Sequence, residues 1–178
     1  MRFAYADPPY IGEAHRYPEK TEVDHAELID RLASGFPDGW ALSCHTPSLR
    51  VLLPLCPDGT RVCAWVKPWA CFRTGMNPQY AWEPVLLHGG RRIRRPRQSV
   101  RDWVSCIPRG SGRRGVLGAK PDGFSFWLFD ALGMEPGDEL VDLFPGSGAV
   151  SRAWLQWSRS LLPKMDGGRR KKEVAAHV

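Results

Sequence analysis

Short apolar runs alternate along this chain with segments of helical periodicity. The apolar runs are typical of buried strands, and we predict strands at residues 2–7, 40–44, 60–66, 82–88 and 139–144. Between them, helical spacing and capping residues predict helices at residues 24–34, 46–55, 122–132 and 149–160. Parallel strands need long crossover connections, which helices usually supply, so the alternation predicts an α/β domain with a largely parallel sheet.

One proline limits how this sheet can be arranged. Pro84 lies within the fourth predicted strand and has no backbone N–H to donate to a neighbouring strand. We therefore expect that strand at an edge of the sheet, or Pro84 near the start of the strand.

The composition excludes several classes of protein. A chain of 178 residues, 43% of them hydrophobic, can bury the core of one domain and is not expected to be disordered. No apolar run approaches the roughly 18 residues of a membrane span, and the first residues do not resemble a secretory signal. Five cysteines without CxxC or histidine-paired spacing predict buried thiols in a reducing cytosol, not disulfides or a metal centre. We therefore expect a cytoplasmic protein with no membrane partner and no metal.

Most of the positive charge lies in one segment. The net charge is +6, but residues 91–114 hold nine arginines against one acidic residue, Asp102. One interpretation is a solvated basic loop with no particular partner. The other, which we favour because apolar residues interrupt the arginines, is an ordered insert that contacts nucleic-acid phosphates. The candidate contacts are Arg91, Arg92, Arg94, Arg95, Arg97 and Arg101.

The first predicted strand ends in the sequence ADPPY, residues 6–10. Ligands of open α/β sheets bind beyond the carboxyl ends of the strands, which is where Asp7 is expected. The Asp7 carboxylate and the Pro8 carbonyl can accept hydrogen bonds from an exocyclic amino group. Pro9 would keep the turn rigid, and the Tyr10 ring would stack on the same planar group. The alternative is a turn that only ends the strand.

A glycine-rich turn, DLFPGSG at residues 142–148, connects the last predicted strand to the last helix. Glycines let the backbone approach a ligand closely, and the N–H groups of the following helix point towards it. The turn is shorter than the dinucleotide-binding GxGxxG pattern and lacks the lysine of a P-loop. Taken alone, it also fits a turn that serves only packing.

Together, the two motifs resemble those of the amino-group DNA methyltransferases that use S-adenosylmethionine. That family combines an Asp/Asn-Pro-Pro-aromatic tetrad with an Asp-x-Phe-x-Gly-x-Gly turn. A Lys-Pro element, here Lys120-Pro121, precedes the helix and strand before the turn. The order of tetrad, arginine-rich segment, Lys-Pro and glycine turn resembles the permuted β type of the family. Eukaryotic mRNA adenine-N6 methyltransferases share the permutation, although their tetrad usually ends in Trp where this chain has Tyr10.

The resemblance implies a Rossmann-like, circularly permuted methyltransferase domain at residues 1–160 and a basic flexible tail at 161–178. The domain would comprise a catalytic half at 1–90, the recognition insert at 91–114 and a cofactor-binding half at 115–160. The implied catalytic residues are Asp7, Pro8, Pro9 and Tyr10. The implied S-adenosylmethionine-binding residues are Lys120, Asp142, Phe144, Gly146, Ser147 and Gly148.

The implied activity is methylation of adenine N6 in DNA, with the target base flipped out of the duplex. An Asp at the start of the tetrad is commoner in the adenine-N6 enzymes of the family than in the cytosine-N4 enzymes. Methylation of adenine in RNA is one alternative. An inactive nucleic-acid-binding accessory subunit is another.

One part of the family pattern is poorly matched. In the family, the strand after the glycine-turn helix ends in an acidic residue that binds the cofactor ribose. Here Pro163 and polar neighbours make residues 158–166 a poor strand, so Asp166 is a weak match. We therefore expect a sheet without its two outer strands. Such an enzyme would be minimal, inactive, or completed by a partner subunit or a second copy of the chain.

Overall fold

The computed structural model describes residues 1–17, 20–71, 74–92, 99–107 and 119–162, with the backbone alone at 69–71. The strands are β1 (Arg2–Ala6), β2 (Gly39–Ser43), β3 (Arg61–Cys71), β4 (Tyr80–Gly89), β5 (Trp103–Ser105) and β6 (Glu139–Asp142). The helices are α1 (His25–Gly35), α2 (Leu49–Leu52), α3 (Asp122–Ala131) and α4 (Ala149–Leu161). Short 3-10 turns lie at Ala14–Arg16, Thr46–Ser48 and Leu53–Leu55.

The strands form one six-stranded sheet in the order β5-β3-β4-β2-β1-β6. Strand β1 is parallel to both its neighbours, β2 and β6, and β5 is parallel to β3. Strand β4 is antiparallel to β2 and β3. The predicted α/β class with a mostly parallel sheet is therefore confirmed. Within the described ranges, β6 is an edge strand and no strand follows α4.

Helices pack on both faces of the sheet. On one face, Leu28 and Leu32 of α1 pack with Trp40 of β2 and Leu86 of β4. On the other face, α3 and α4 bury their apolar sides against β1, β3 and β4. Burial of these side chains is the main stabilising term of the fold. Among the described helices, none has both the length and the apolar character that crossing a bilayer demands.

The predicted position of β4 is wrong. Strand β4 lies inside the sheet, and Pro84 is in its middle, opposite Ala64 of β3. The interior position is tolerated because the β2 pairing stops at Ser43, opposite Val85. In an antiparallel strand the N–H and C=O of one residue point to the same neighbour. The missing N–H of Pro84 therefore points past the end of β2, while its carbonyl still accepts the Cys44 N–H at 3.1 Å.

The helix predicted at 46–55 is also interrupted. Only Leu49–Leu52 is α-helical, between two 3-10 turns. Pro54 lies in the second turn, near its start. Proline has no N–H for an α-helical hydrogen bond and clashes with the preceding turn, which explains the early end of α2.

Strand β5 lies in the arginine-rich segment and was not predicted. It has three residues, too few for a recognisable alternation. Trp103 pairs with Ala64 of β3, and the Ala64 N–H donates to the Asp102 carbonyl at 2.9 Å. The segment therefore contributes an edge strand to the sheet. Its remaining parts, 93–98 and 108–118, lie outside the described residues.

The cysteines of the described side chains are free thiols. Cys44 and Cys63 are buried, whereas Cys56 and Cys106 are half-buried. Burial raises the pKa of Cys44 to about 12 and that of Cys56 to about 11, so both are protonated at neutral pH. The prediction of buried thiols is confirmed for Cys44 and Cys63.

Asp138 connects three parts of the chain. One Arg91 guanidinium nitrogen donates to both Asp138 carboxylate oxygens at 2.7 Å. The Met1 nitrogen and the Glu135 N–H also donate to this carboxylate, each at 2.7 Å. Burial would raise the pKa of Asp138, but these donors lower it below its usual value. Arg91 thus has a structural role, and the phosphate contact predicted for it from the sequence stays a prediction.

We expect Asp138→Asn to destabilise the protein by about 2 kcal/mol at neutral pH, because it removes a charged acceptor from Arg91. The folded-state pKa of Asp138 is lowered, so its contribution is present above the unfolded pKa and is lost as pH falls through the folded pKa. Urea unfolding of both proteins at neutral and strongly acidic pH measures this. Equal stabilities at neutral pH would contradict the assignment.

Candidate active site

The tetrad and the glycine-rich turn lie side by side. They follow β1 and β6, which are parallel neighbours with Tyr5 opposite Asp142. Beyond this pair the Leu143 N–H donates to the Tyr5 carbonyl at 2.9 Å, so the chains separate only afterwards. The carboxyl ends of parallel strands lie at the same edge of a sheet. Both motifs therefore lie at this edge. Two segments more than a hundred residues apart in sequence therefore form one site.

A buried lysine holds the first residue of the tetrad. The Lys120 ammonium contacts both carboxylate oxygens of Asp7 at 2.9 Å. The Lys120 side chain is only 5% exposed, whereas that of Asp7 is 23% exposed. The ammonium also lies over the rings of Trp65 and Phe124, 5.3 and 5.9 Å from their centroids. These contacts offset the unfavourable free energy of removing the Lys120 ammonium from water.

Glu83 of β4 is a second carboxylate at the site and was not predicted. It accepts the Tyr10 hydroxyl at 3.0 Å and lies 3.8 Å from the Lys120 ammonium. Its other oxygen accepts a short hydrogen bond from Lys67 of β3. Glu83 thus connects the last residue of the tetrad to both lysines. No local pattern marks Glu83 or Lys67 in the sequence, because the fold alone brings them to Tyr10.

Burial and charge shift the acid–base properties of the cluster in opposite directions. Burial raises the pKa of Asp7 although Lys120 favours its charged form. Burial acts in the same direction on Glu83, but Lys120 and Lys67 outweigh it and lower the pKa of Glu83. Burial alone would lower the pKa of Lys120, yet Asp7 and Glu83 raise it, so Lys120 stays charged. The site therefore holds a charged ammonium between the Glu83 carboxylate and the Asp7 carboxyl group, whose charged form burial disfavours and Lys120 favours.

The Tyr10 ring is fixed at two points. Its hydroxyl donates to Glu83, and it lies 3.5 Å from Asp7. Its ring stacks on the His45 ring, with centroids 5.4 Å apart and planes 16° apart. Burial, followed by the charges of Asp7 and Glu83, raises the pKa of Tyr10 well above its usual value. Tyr10 is therefore a neutral, oriented aromatic ring beside Asp7.

The glycine-rich turn that follows β6 leaves open space beside its backbone. Gly146 and Gly148 have φ of 45° and 70°, in the left-handed region that favours glycine. A side chain at Gly146 would meet only the Phe144 carbonyl, 3.9 Å away. The Ser147 carbonyl accepts the Arg152 guanidinium at 2.7 Å, so it faces α4. The turn thus presents little more than backbone to a ligand.

Asp142 supplies an acceptor at the start of this turn. Its Oδ2 accepts the Ser151 hydroxyl at 3.2 Å. Its Oδ1 is buried and meets no hydrogen-bond donor among the residues that the structure describes. Burial raises the pKa of Asp142, although hydrogen bonding to the Ser151 hydroxyl and to the Phe144 backbone opposes this. A buried acceptor of this kind can receive a hydrogen bond from a ligand or from a bound water molecule.

The structure thus brings together the residues predicted from the tetrad, the Lys-Pro element and the turn. It does not place the predicted arginines there. Arg91 is held by Asp138, and Arg92 and Arg101 are exposed. Arg94, Arg95 and Arg97 lie outside the described residues, as does Asp166, the candidate ribose ligand.

We expect Lys120→Met to lower the stability by about 3 kcal/mol at neutral pH, because Asp7 loses its buried counter-ion. Without Lys120 the pKa of Asp7 rises further, so the variant regains stability as acidification protonates Asp7. The difference from the wild type should therefore shrink from neutral to mildly acidic pH. Urea unfolding at the two pH values tests this, and a pH-independent difference would be the contrary result.

The comparisons with known proteins agree with this fold. No family model matches the sequence, and no curated protein matches it. A crystal structure of an M1.HpyAVI–SAM complex matches with a TM-score of 0.62 and 17% identity, over 89% of this chain and 78% of that chain. A second crystal structure of M1.HpyAVI gives a TM-score of 0.55 and 13% identity, over 89% and 76% of the two chains. The likeness confirms the predicted Rossmann-like α/β fold.

Proposed function

We propose that this protein transfers a methyl group from S-adenosylmethionine to N6 of adenine in DNA. One observation carries the proposal: the Asp-Pro-Pro-Tyr tetrad and the glycine-rich turn open side by side from the parallel strands β1 and β6. An acceptor for an amino group and a backbone cradle for a cofactor therefore lie at one edge of the sheet. The fold is shared with M1.HpyAVI, a structure of which contains SAM.

The residues around the turn fit S-adenosylmethionine. Its methionine end carries an ammonium group and a carboxylate. Asp142 Oδ1, a buried acceptor without a donor, suits the ammonium group. The first N–H groups of α4 have no acceptor within the helix and suit the carboxylate. When bound, the cofactor supplies a methyl group on a positively charged sulfur.

Asp7 and Pro8 would activate the amino group of the target. The lone pair of this nitrogen is delocalised into the adenine ring, which makes it a poor nucleophile. Hydrogen bonds accepted by the Asp7 carboxylate and the Pro8 carbonyl favour a tetrahedral nitrogen, whose lone pair is free to attack. Since both acceptors are held before the base arrives, their orientation costs little during the reaction.

Lys120 and Glu83 would position this machinery. Burial favours the protonated form of Asp7, which would accept a hydrogen bond from the amino group poorly. Lys120 opposes this protonation. Glu83 orients the Tyr10 hydroxyl, and His45 supports one face of the Tyr10 ring. The other face of Tyr10 is then the stacking surface for a flipped base, which offsets part of the cost of unstacking.

The arginine-rich segment would hold the DNA backbone. Arg92 and Arg101 are exposed, and the sequence adds Arg94, Arg95 and Arg97 between them. Phosphate contacts of this kind weaken steeply with added salt. RNA adenine methylation would use the same site, so the substrate assay offers both nucleic acids. If a partner subunit or second copy completes the sheet, the isolated chain will bind cofactor weakly.

The test uses S-adenosylmethionine labelled on its methyl group and unmethylated duplex DNA or RNA. After digestion to nucleosides, we expect label in N6-methyladenine from DNA. Asp7→Asn should lower the rate at least about a hundredfold, because its amide accepts fewer and weaker hydrogen bonds. Asp58→Asn, at an exposed position in the turn before β3, is the matched control and should leave the rate unchanged. Label in N4-methylcytosine would overturn the choice of base, and no label in DNA or RNA would overturn the proposed transfer.

The pH dependence of transfer provides a second test. The acid limb should follow the raised pKa of Asp7, so activity falls as pH falls through it. Glu83 raises the pKa of Asp7 and Lys120 lowers it. Glu83→Gln should therefore move the acid limb to lower pH, and Lys120→Met should move it to higher pH. Rate profiles of the three proteins measure both shifts, and shifts in the same direction would contradict the role of Asp7.

A further inference from the structure

Among the described residues, no helix packs on one face of the sheet over β3 and β5. On the opposite face of these strands, Trp65 and Val104 pack into the core with α3. On the first face, Val62 of β3, Trp82 of β4 and Trp103 of β5 are 42%, 39% and 41% exposed. Helix α1 and its cluster reach only as far as Leu86 of β4. We call Val62, Ala64, Val66, Trp82 and Trp103 the aromatic face.

The register places the two tryptophans apart on this face. Val66 of β3 pairs with Trp82, and Ala64 pairs with Trp103. Paired residues point to the same side of a sheet, so both indoles lie on the same face. One is on β4 and the other on β5, on either side of β3. Their Cα atoms are about 12 Å apart, from a strand spacing of about 4.8 Å and a rise of about 3.3 Å per residue. The two rings are therefore far enough apart to contact separate bases.

Positive charge borders the aromatic face. The Arg101 guanidinium lies over the Trp103 ring, 5.3 Å from its centroid. Strand β5 is itself part of the segment that holds nine arginines. The nearest acidic side chain of this edge, Asp102, lies 3.8 Å from the Arg61 guanidinium. An occupant with negative charge and flat apolar groups fits this combination.

The aromatic face lies across the sheet from the candidate active site. Trp82 immediately precedes Glu83, whose side chain accepts the Tyr10 hydroxyl on the other face of the sheet. Alternate residues of a strand point to opposite faces, so β4 separates the two surfaces by the thickness of one sheet. A strand of nucleic acid that leaves the site around this end of the sheet meets Trp82 first.

We propose that the aromatic face binds the unstacked bases of single-stranded DNA, with Trp82 and Trp103 as stacking residues. The proposal rests on the proposed function only in taking DNA as the partner. It adds a binding surface outside the methyl-transfer site. Stacking on aromatic rings does not depend on base identity, so the face contributes affinity and not sequence recognition.

The test compares two single strands of about 12 nucleotides, oligodeoxythymidine and its abasic counterpart, which keeps the phosphates but lacks the bases. Fluorescence anisotropy without cofactor should show that the wild type prefers the strand with bases. Trp103→Ala and Trp82→Ala should each lower affinity for that strand by about tenfold. Neither should change affinity for the abasic strand or the salt dependence of binding, because the phosphate contacts remain.

Two control variants make the result specific. Trp103→Phe keeps an aromatic ring and should lose less than about threefold, which separates stacking from damage to β5. Leu155→Ala removes an even more exposed apolar side chain on α4, at the far side of the sheet, and should bind like the wild type. Thermal unfolding checks that all the variants fold.

Several results would overturn the proposal. These are equal wild-type affinity for the two strands, wild-type affinity in both alanine variants, or no binding to single-stranded DNA. A wild-type dimer that Trp103→Ala dissociates, with unchanged DNA binding, would assign the face to a second copy instead. The binding assay uses no cofactor and can be repeated with Asp7→Asn, so a protein that transfers no methyl group still tests the aromatic face.

Discussion

The site depends on the contacts of the Lys120 ammonium group. This group is buried, it contacts Asp7 and Glu83, and it lies over the rings of Trp65 and Phe124. A buried cation is tolerated only where charges and polar groups surround it, so its partners cannot move independently. The residue stands directly before α3, whose own packing against the sheet sets its position. Core packing thus fixes the orientation of the tetrad.

Much of this arrangement follows from local sequence. The start of α1 was predictable because Asp is a favoured N-cap residue, and in the structure Asp24 accepts the Ala26 and Glu27 N–H groups at 3.0 Å. The parallel course of β1 and β6 follows from the alternation of elements, and it brings the two motifs to one edge.

The remainder depends on tertiary contacts. Strand β5 is too short to show a pattern, and Pro84 is accommodated only because β2 ends beside it. Glu83 is distant in sequence from the tetrad that it contacts, and Arg91 resembles its neighbouring arginines until its pairing with Asp138 is seen. In each case the partner that decides the role lies on another strand or loop, where sequence spacing carries no signal.

The pairing of β1 with β6 has a consequence for how the protein is made. The two strands that carry the site come from opposite ends of the domain, and Lys120 meets Asp7 across 113 residues. Contacts between residues this far apart in sequence form only after a long loop has closed. The entropy lost in closing the loop precedes any stabilisation from the contacts, which slows folding. During synthesis on the ribosome, the edge of β1 that pairs with β6 would stay unpaired until β6 is synthesised. Nascent chains interrupted before α3 would therefore carry an exposed strand edge and an uncompensated Asp7, both hallmarks of species that aggregate or recruit chaperones.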